Sequence, residues 1–131
     1  MSEYETINQL LNKGQRAVDQ IAREIVALKY APDDANLHKT VEALSLLNDV
    51  QKSIWEAEPD LIAIPKSRGE LHQESKYMQE YRSYILKSSH HEENNDIPNA
   101  IKELQNALNM EPPHIMYEVV EKDIERLKNI R

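Results

Sequence analysis

Glu111-Pro-Pro-His114 is the one Glu-x-x-His spacing in this 131-residue chain. A di-iron site in a helical bundle needs two such motifs and two further glutamates on facing helices. The two prolines place this motif at a helix junction, where its ends do not share a helix face, and no second copy follows. The motif therefore does not predict a di-iron centre.

The run His90-His91-Glu92-Glu93 is the most concentrated group of side chains that bind zinc. Zinc is held by three or four ligands in fixed positions, and adjacent residues of a polar loop do not converge on one ion. Glu70 with Glu74 and Glu118 with Glu121 are spaced to hold Mg²⁺ and a pyrophosphate, but solvated helix faces carry the same pairs. We expect no metal and no cofactor, and keep a metal- or phosphate-dependent enzyme using helix-borne carboxylates as a lesser alternative.

Nucleophilic catalysis has little support in the residue inventory. The chain has no cysteine and only two glycines, and it contains neither a G-x-S-x-G motif nor a glycine-rich phosphate-binding loop. We therefore expect no catalytic residues and predict that the protein is not an enzyme.

The charge balance limits the partners. Sixteen basic and 23 acidic residues give a net charge of −7. The densest basic stretch, residues 122–131, is interleaved with acidic side chains and forms no footprint for phosphates. We expect no direct binding of nucleic acid. An acidic inhibitor of a basic nucleic-acid-binding enzyme remains the main alternative function.

Length and patterning indicate a single domain over residues 1–131. No apolar run is long enough to span a membrane, and the N-terminus lacks the basic start and apolar stretch of a secretion signal, so we expect a cytoplasmic protein. Few glycines and grouped prolines are typical of long helices broken at joints. We predict an all-α bundle of about five helices, two or three of them long, with two shorter C-terminal helices forming a hairpin.

The first helix is predicted over residues 3–30, capped by Ser2 with Glu5 three residues later. Its apolar residues alternate steps of three and four, which keeps them on one face. Gly14 falls within this stripe and would allow another helix to approach closely. The stripe consists of Tyr4, Ile7, Leu11, Gly14, Val18, Ile21, Ile25 and Leu28.

A second helix is predicted over about 34–57, apolar on two faces and therefore central in the bundle. Pro59 and Pro65 then bracket the apolar segment 61–64, which we expect to be extended or turned. Either this segment plugs the end of the core, or it is a contact surface for a partner.

Three further helices complete the prediction. One spans about 68–89 from a cap at Ser67, and the polar stretch 88–96 follows as a solvated loop. A fourth helix is capped by Asp96, and a fifth spans about 114–129 after Pro112-Pro113.

Because catalysis and nucleic-acid binding are both disfavoured, we expect a small intracellular protein–protein interaction module: an adaptor, a chaperone or a small subunit. Its partner is another protein or a second copy, which would give a homodimer. Leu10 lies beside the stripe of the first helix and widens it. The residues we predict to contact a partner are Leu10, Gly14, Trp55, Leu61, Ile62 and Ile64.

Overall fold

A computed structural model describes residues 2–28, 33–64 and 74–130, which form five α-helices, one short 3₁₀ helix and no strand. The predicted all-α class is confirmed. No helix within these residues is both long and apolar enough to cross a bilayer. The helices are α1 (Glu3–Leu28), α2 (Asp33–Ala57), α3 (Lys76–Glu93), α4 (Ile97–Asn109) and α5 (His114–Lys128), and the 3₁₀ helix is Pro59–Leu61.

The start of α1 follows from its sequence. The Ser2 hydroxyl accepts a hydrogen bond from the backbone N–H of Glu5 at 3.1 Å, which satisfies one of the free donors of the first turn. The acidic side chains of Glu3 and Glu5 also suit the positive end of the helix dipole. The predicted N-terminal cap is thus confirmed, while the predicted end at residue 30 lies outside the described residues.

The apolar core is concentrated in α3, α4 and α5. Helix α4 packs on both α3 and α5, as predicted for the C-terminal hairpin. Leu104 of α4 and Leu127 of α5 are almost fully buried in this core. The buried residues of this cluster are Ala63, Tyr77, Met78, Tyr81, Ala100, Leu104, Ala107, Val120, Ile124 and Leu127.

Helices α1 and α2 form an antiparallel hairpin beside this three-helix unit. Helix α1 also contacts α5, whereas α2 packs on α1 and on the 3₁₀ helix. The prediction that the second helix is central and packed on two sides is therefore wrong. Its second apolar stripe is open to solvent, with Leu46 60% exposed and Val50 49% exposed.

Helix α3 is shifted relative to the prediction. It begins after Ser75, whose hydroxyl accepts from the N–H of Met78, and it continues to Glu93 through most of the stretch predicted as loop. The predicted cap at Ser67 lies outside the described residues. The helix continues because Ser88 is buried and donates a 2.8 Å hydrogen bond to the carbonyl oxygen of Ala100, which replaces an apolar contact with α4.

The segment 61–64 divides between core and surface. Ala63 has no exposed area and belongs to the core cluster, and Leu61 and Ile62 are half-buried. Ile64 is 53% exposed. The segment thus closes the core through one small residue and presents a larger one to solvent.

Candidate interaction surface

The interior of the α1–α2 hairpin is lined by amide side chains. Asn8, Asn12 and Gln15 of α1 and Gln51 of α2 are each at most 8% exposed. The Gln51 side-chain nitrogen donates to Asn12 Oδ1 at 2.7 Å and to Asn8 Oδ1 at 3.1 Å. Gln51 Oε1 in turn accepts from Gln15 Nε2 at 3.0 Å, so both ends of the Gln51 amide are engaged.

Two further side chains extend this amide cluster. Trp55 Nε1 donates to Asn8 Oδ1 at 2.9 Å, and Gln15 Nε2 donates to Asn48 Oδ1 at 2.9 Å. Buried amides are costly unless they are hydrogen-bonded, and connected bonds fix the relative position of the groups they join. The cluster therefore sets the pairing of α1 with α2.

Because the amides face inward, several of the larger aliphatic residues of the hairpin face outward. Asn8, Asn12 and Gln15 follow one another at steps of four and three, and the outer stripe of α1 lies well over a quarter-turn away from them. The predicted stripe is therefore only partly inward: Leu11 is buried, but Ile7 and Ile21 are 40% and 53% exposed.

The two outward stripes approach each other at Gly14. A Cβ on Gly14 would lie 4.0 Å from Leu47 Cδ1, so the stripe of α1 reaches α2 at this point. Leu47 precedes Val50 of the outward stripe of α2 by three residues, which makes the two neighbours on the helix surface. We call this surface the outer face. It consists of Ile7, Leu10, Gly14, Ala17 and Ile21 on α1 and of Ala43, Leu46, Val50 and Ala57 on α2.

The structure separates the six predicted contact residues. Leu10, which is 62% exposed, and Gly14 belong to the outer face. Trp55 instead points into the hairpin, where its indole N–H is bonded to Asn8. The three residues of the 61–64 segment, Leu61, Ile62 and Ile64, follow the hairpin in the chain, and Leu61 and Ile64 line clefts beside it.

Sequence reasoning missed Leu46 and Val50 as exposed positions. The apolar periodicity of α2 predicts the stripe to which they belong, but it also predicts that this stripe is packed against a neighbour. The row of amides at positions 8, 12 and 15 marks the inward side of α1. It is the signal in the sequence that distinguishes an exposed apolar stripe from a packed one.

Charged side chains join the hairpin to α5. Arg16 forms an ion pair with Glu111 at 3.2 Å, and its guanidinium lies 3.6 Å from the ring centroid of Tyr117. Nearby, His114 Nε2 is 3.0 Å from the carboxylate of Asp19. These contacts occupy both ends of the Glu111–His114 motif with different partners, so the motif does not converge on a common point.

The other candidate ligands are also dispersed. Arg126 binds the Glu92 carboxylate at 2.6 and 3.1 Å, and this hydrogen bonding lowers the pKa of Glu92. His90 is 3.3 Å from Asn94 in the same turn, and His91 is 3.7 Å from Asp96. Within the described residues, no three histidine or acidic side chains are grouped so as to hold a metal ion.

Clefts lined by described residues lie on two sides of the hairpin. One, of about 430 Å³, lies between α1, α2 and α5 and is mainly apolar, with Leu44 and Met116 among its lining residues. The other, of about 620 Å³, lies between the start of α1, the 3₁₀ helix, α3 and α4. Its lining carries one basic side chain, Lys76, and four acidic ones, which are Glu5, Glu58, Asp60 and Glu80.

Comparisons with known proteins add no relative: no family model matches the chain, and neither a curated protein nor a solved structure does.

Proposed function

We propose that this protein is a helical protein–protein interaction module, without catalytic activity, and that it binds its partner through the outer face. The observation that carries the proposal is the α1–α2 hairpin, in which four amide side chains are buried and five large aliphatic side chains of one surface are exposed. Five large aliphatic residues of one surface are 40–62% exposed. A contiguous apolar surface of this kind is typical of a contact site, whereas isolated exposed leucines are ordinary.

The energetics support a reversible contact. Full burial of a large aliphatic side chain contributes about 1.5–3 kcal/mol, so completing the burial of half-exposed ones contributes roughly 1 kcal/mol each. These side chains together supply roughly 5 kcal/mol, with a similar amount available from a matching partner surface. Association costs roughly 4–15 kcal/mol of lost translational and rotational freedom, so the surplus is small. The role of an adaptor, a chaperone or a small subunit agrees with a contact of this size.

The proposal is tested by placing a photoreactive residue at position 10 and cross-linking in the cell of origin. Position 86 on α3 is the matched control, since Leu10 and Leu86 are both leucines with 62% exposure. We expect a discrete cross-linked product from position 10 and none from position 86. The absence of any product specific to position 10 would contradict the proposal.

Salt dependence separates this proposal from an acidic inhibitor of a basic enzyme. Ionic contacts between exposed groups weaken as salt is added, because the added ions screen them. Burial of apolar surface is not weakened in that way. We expect the product from position 10 to persist at high salt.

A further inference from the structure

We propose that the partner of the outer face is a second copy of this chain. The two copies would be related by a two-fold axis parallel to α1 and α2, so that α1 of each packs antiparallel on α2 of the other. This inference rests on the proposed function. Rotation about such an axis does not move a residue along the helix direction, and we call its position in that direction its height. Residues of α1 and α2 that are at the same height within one hairpin are therefore also at the same height between copies.

The heights follow from contacts across the hairpin. Asn12 is bonded to Gln51, and Gly14 approaches Leu47. Each step toward the C-terminus of α1 is matched by one step toward the N-terminus of α2, because the helices are antiparallel. Leu46 is therefore at the height of the gap between Gly14 and Ala17.

Large residues of one helix meet small residues of the other in this arrangement. Leu46 of one copy enters the gap that Gly14 and Ala17 leave on α1 of the second copy. At the two ends, Ile7 and Ile21 of α1 come closest to Ala57 and Ala43 of α2. Alternation of large and small side chains is the condition for close helix packing, and a single sequence supplies both halves of it here.

The charges along the edge of the contact are also complementary. Lys13 lies on the edge of α1 that faces away from α2, and Asp49 lies on the far edge of α2 at the same height; both are exposed. Within one copy, Lys13 and Asp49 are on opposite sides of the hairpin. In the proposed dimer, the edge of α1 with Lys13 lies beside the edge of α2 with Asp49 of the other copy. No like charges coincide at the other edge positions, which pair Thr6 with Glu56, Gln20 with Glu42 and Glu24 with His38.

The other face-to-face two-fold arrangement places α1 on α1 and α2 on α2. With its axis at the height of Asp49, near the middle of the outer face, it brings Asp49 of one copy against Asp49 of the other and Glu42 against Glu56. Like charges at such positions repel one another. The charge pattern therefore selects the arrangement in which Lys13 meets Asp49.

Disulfide trapping tests the arrangement directly, since the chain has no cysteine of its own. The variants Lys13→Cys and Asp49→Cys are prepared separately, and each is oxidised alone and as a mixture. We expect a disulfide-linked dimer that contains one copy of each variant, formed only in the mixture. A dimer formed by Asp49→Cys alone would overturn the proposal, because it reports α2 packed on α2.

Charge reversal provides the second measurement. Lys13→Glu or Asp49→Lys alone is expected to raise the dimer Kd about three- to tenfold, and the double variant to restore it. If the two single effects add in the double variant, the pairing of Lys13 with Asp49 is overturned.

The outcomes also separate this inference from the proposed function. A protein that stays monomeric at all concentrations, while position 10 cross-links to a different protein, would overturn the inference that the partner is a second copy and leave the proposed function intact. The absence of any cross-link from position 10 would overturn both the proposed function and the inference of a second copy.

Discussion

The side-chain nitrogen of Gln51 donates to Asn12 Oδ1 over 2.7 Å, across the boundary between α2 and α1. Both residues are at most 4% exposed, in a position that an aliphatic pair would fill in most helical hairpins. This bond belongs to the cluster of side-chain hydrogen bonds that turns one side of each helix inward. Leu10 and Leu46 lie on the opposite sides and are exposed.

The amide cluster is expected to be a major source of hairpin stability. Replacing Gln51 by Ala removes three hydrogen bonds at once; Asn8 and Gln15 keep Trp55 and Asn48 as partners, but Asn12 loses its partner. Because three bonds are lost and the buried Asn12 oxygen keeps its desolvation cost, we expect a loss of roughly 2–4 kcal/mol in the free energy of unfolding, measured with denaturant. The neighbouring exposed Lys52→Ala is the control and should change stability little. Equal effects of the two substitutions would contradict the role of the cluster.

Ser88 and Ser89 offer a matched pair of substitutions in α3. Ser88 is 3% exposed and donates to the carbonyl oxygen of Ala100 at 2.8 Å, whereas Ser89 is exposed. We expect Ser88→Ala to cost about 1 kcal/mol of unfolding free energy and Ser89→Ala to be close to neutral. If Ser89→Ala proves the more damaging, the placement of this turn of α3 is wrong.

Alkaline pH is expected to destabilise the three-helix unit through its buried tyrosines. Burial raises the pKa of Tyr81 to about 12, and it raises the pKa of Tyr77, whose hydroxyl donates to the carbonyl oxygen of Met110, further still. The folded state thus holds these protons more tightly than the unfolded chain, whose tyrosines titrate near 10. Stability is therefore complete below that pH and falls as the pH rises through the folded pKa values.

Thermal melts across the alkaline range measure this loss, and Tyr77→Phe provides the comparison. We expect the variant to lose less stability than the wild type between neutral and high pH, because it has no phenol to ionise at position 77. Parallel pH profiles for the two proteins would show that Tyr77 does not contribute to the alkaline loss.

The sequence was informative about the helices and less so about their orientation. The alternating steps of apolar residues between Tyr4 and Leu28 predict α1 correctly, and the Ser2 cap marks where it begins. The same pattern did not reveal which side of α1 is buried. Apolar periodicity marks a face, but whether that face meets a neighbour in the same chain is decided by tertiary packing, in this case by bonds between Asn8, Asn12 and Gln51.

The end of α3 shows a second limit. Residues 88–96 contain no apolar side chain, and polar runs usually indicate loops. The helix extends to Glu93 because a serine hydroxyl bonds to α4 and because Arg126 of α5 binds Glu92. Both contacts join residues distant in sequence, so local composition did not reveal them.

The central claim, that the outer face is a contact surface between two copies, is tested most directly by the molar mass of three proteins in light scattering: the wild type, Leu10→Glu and the matched control Leu86→Glu. We predict that the wild type and Leu86→Glu form dimers as concentration rises, while Leu10→Glu remains a folded monomer, with the melting temperature that the wild type has at concentrations at which it is also monomeric. A Leu10→Glu protein that unfolds, or that dimerises as the wild type does, would contradict the account.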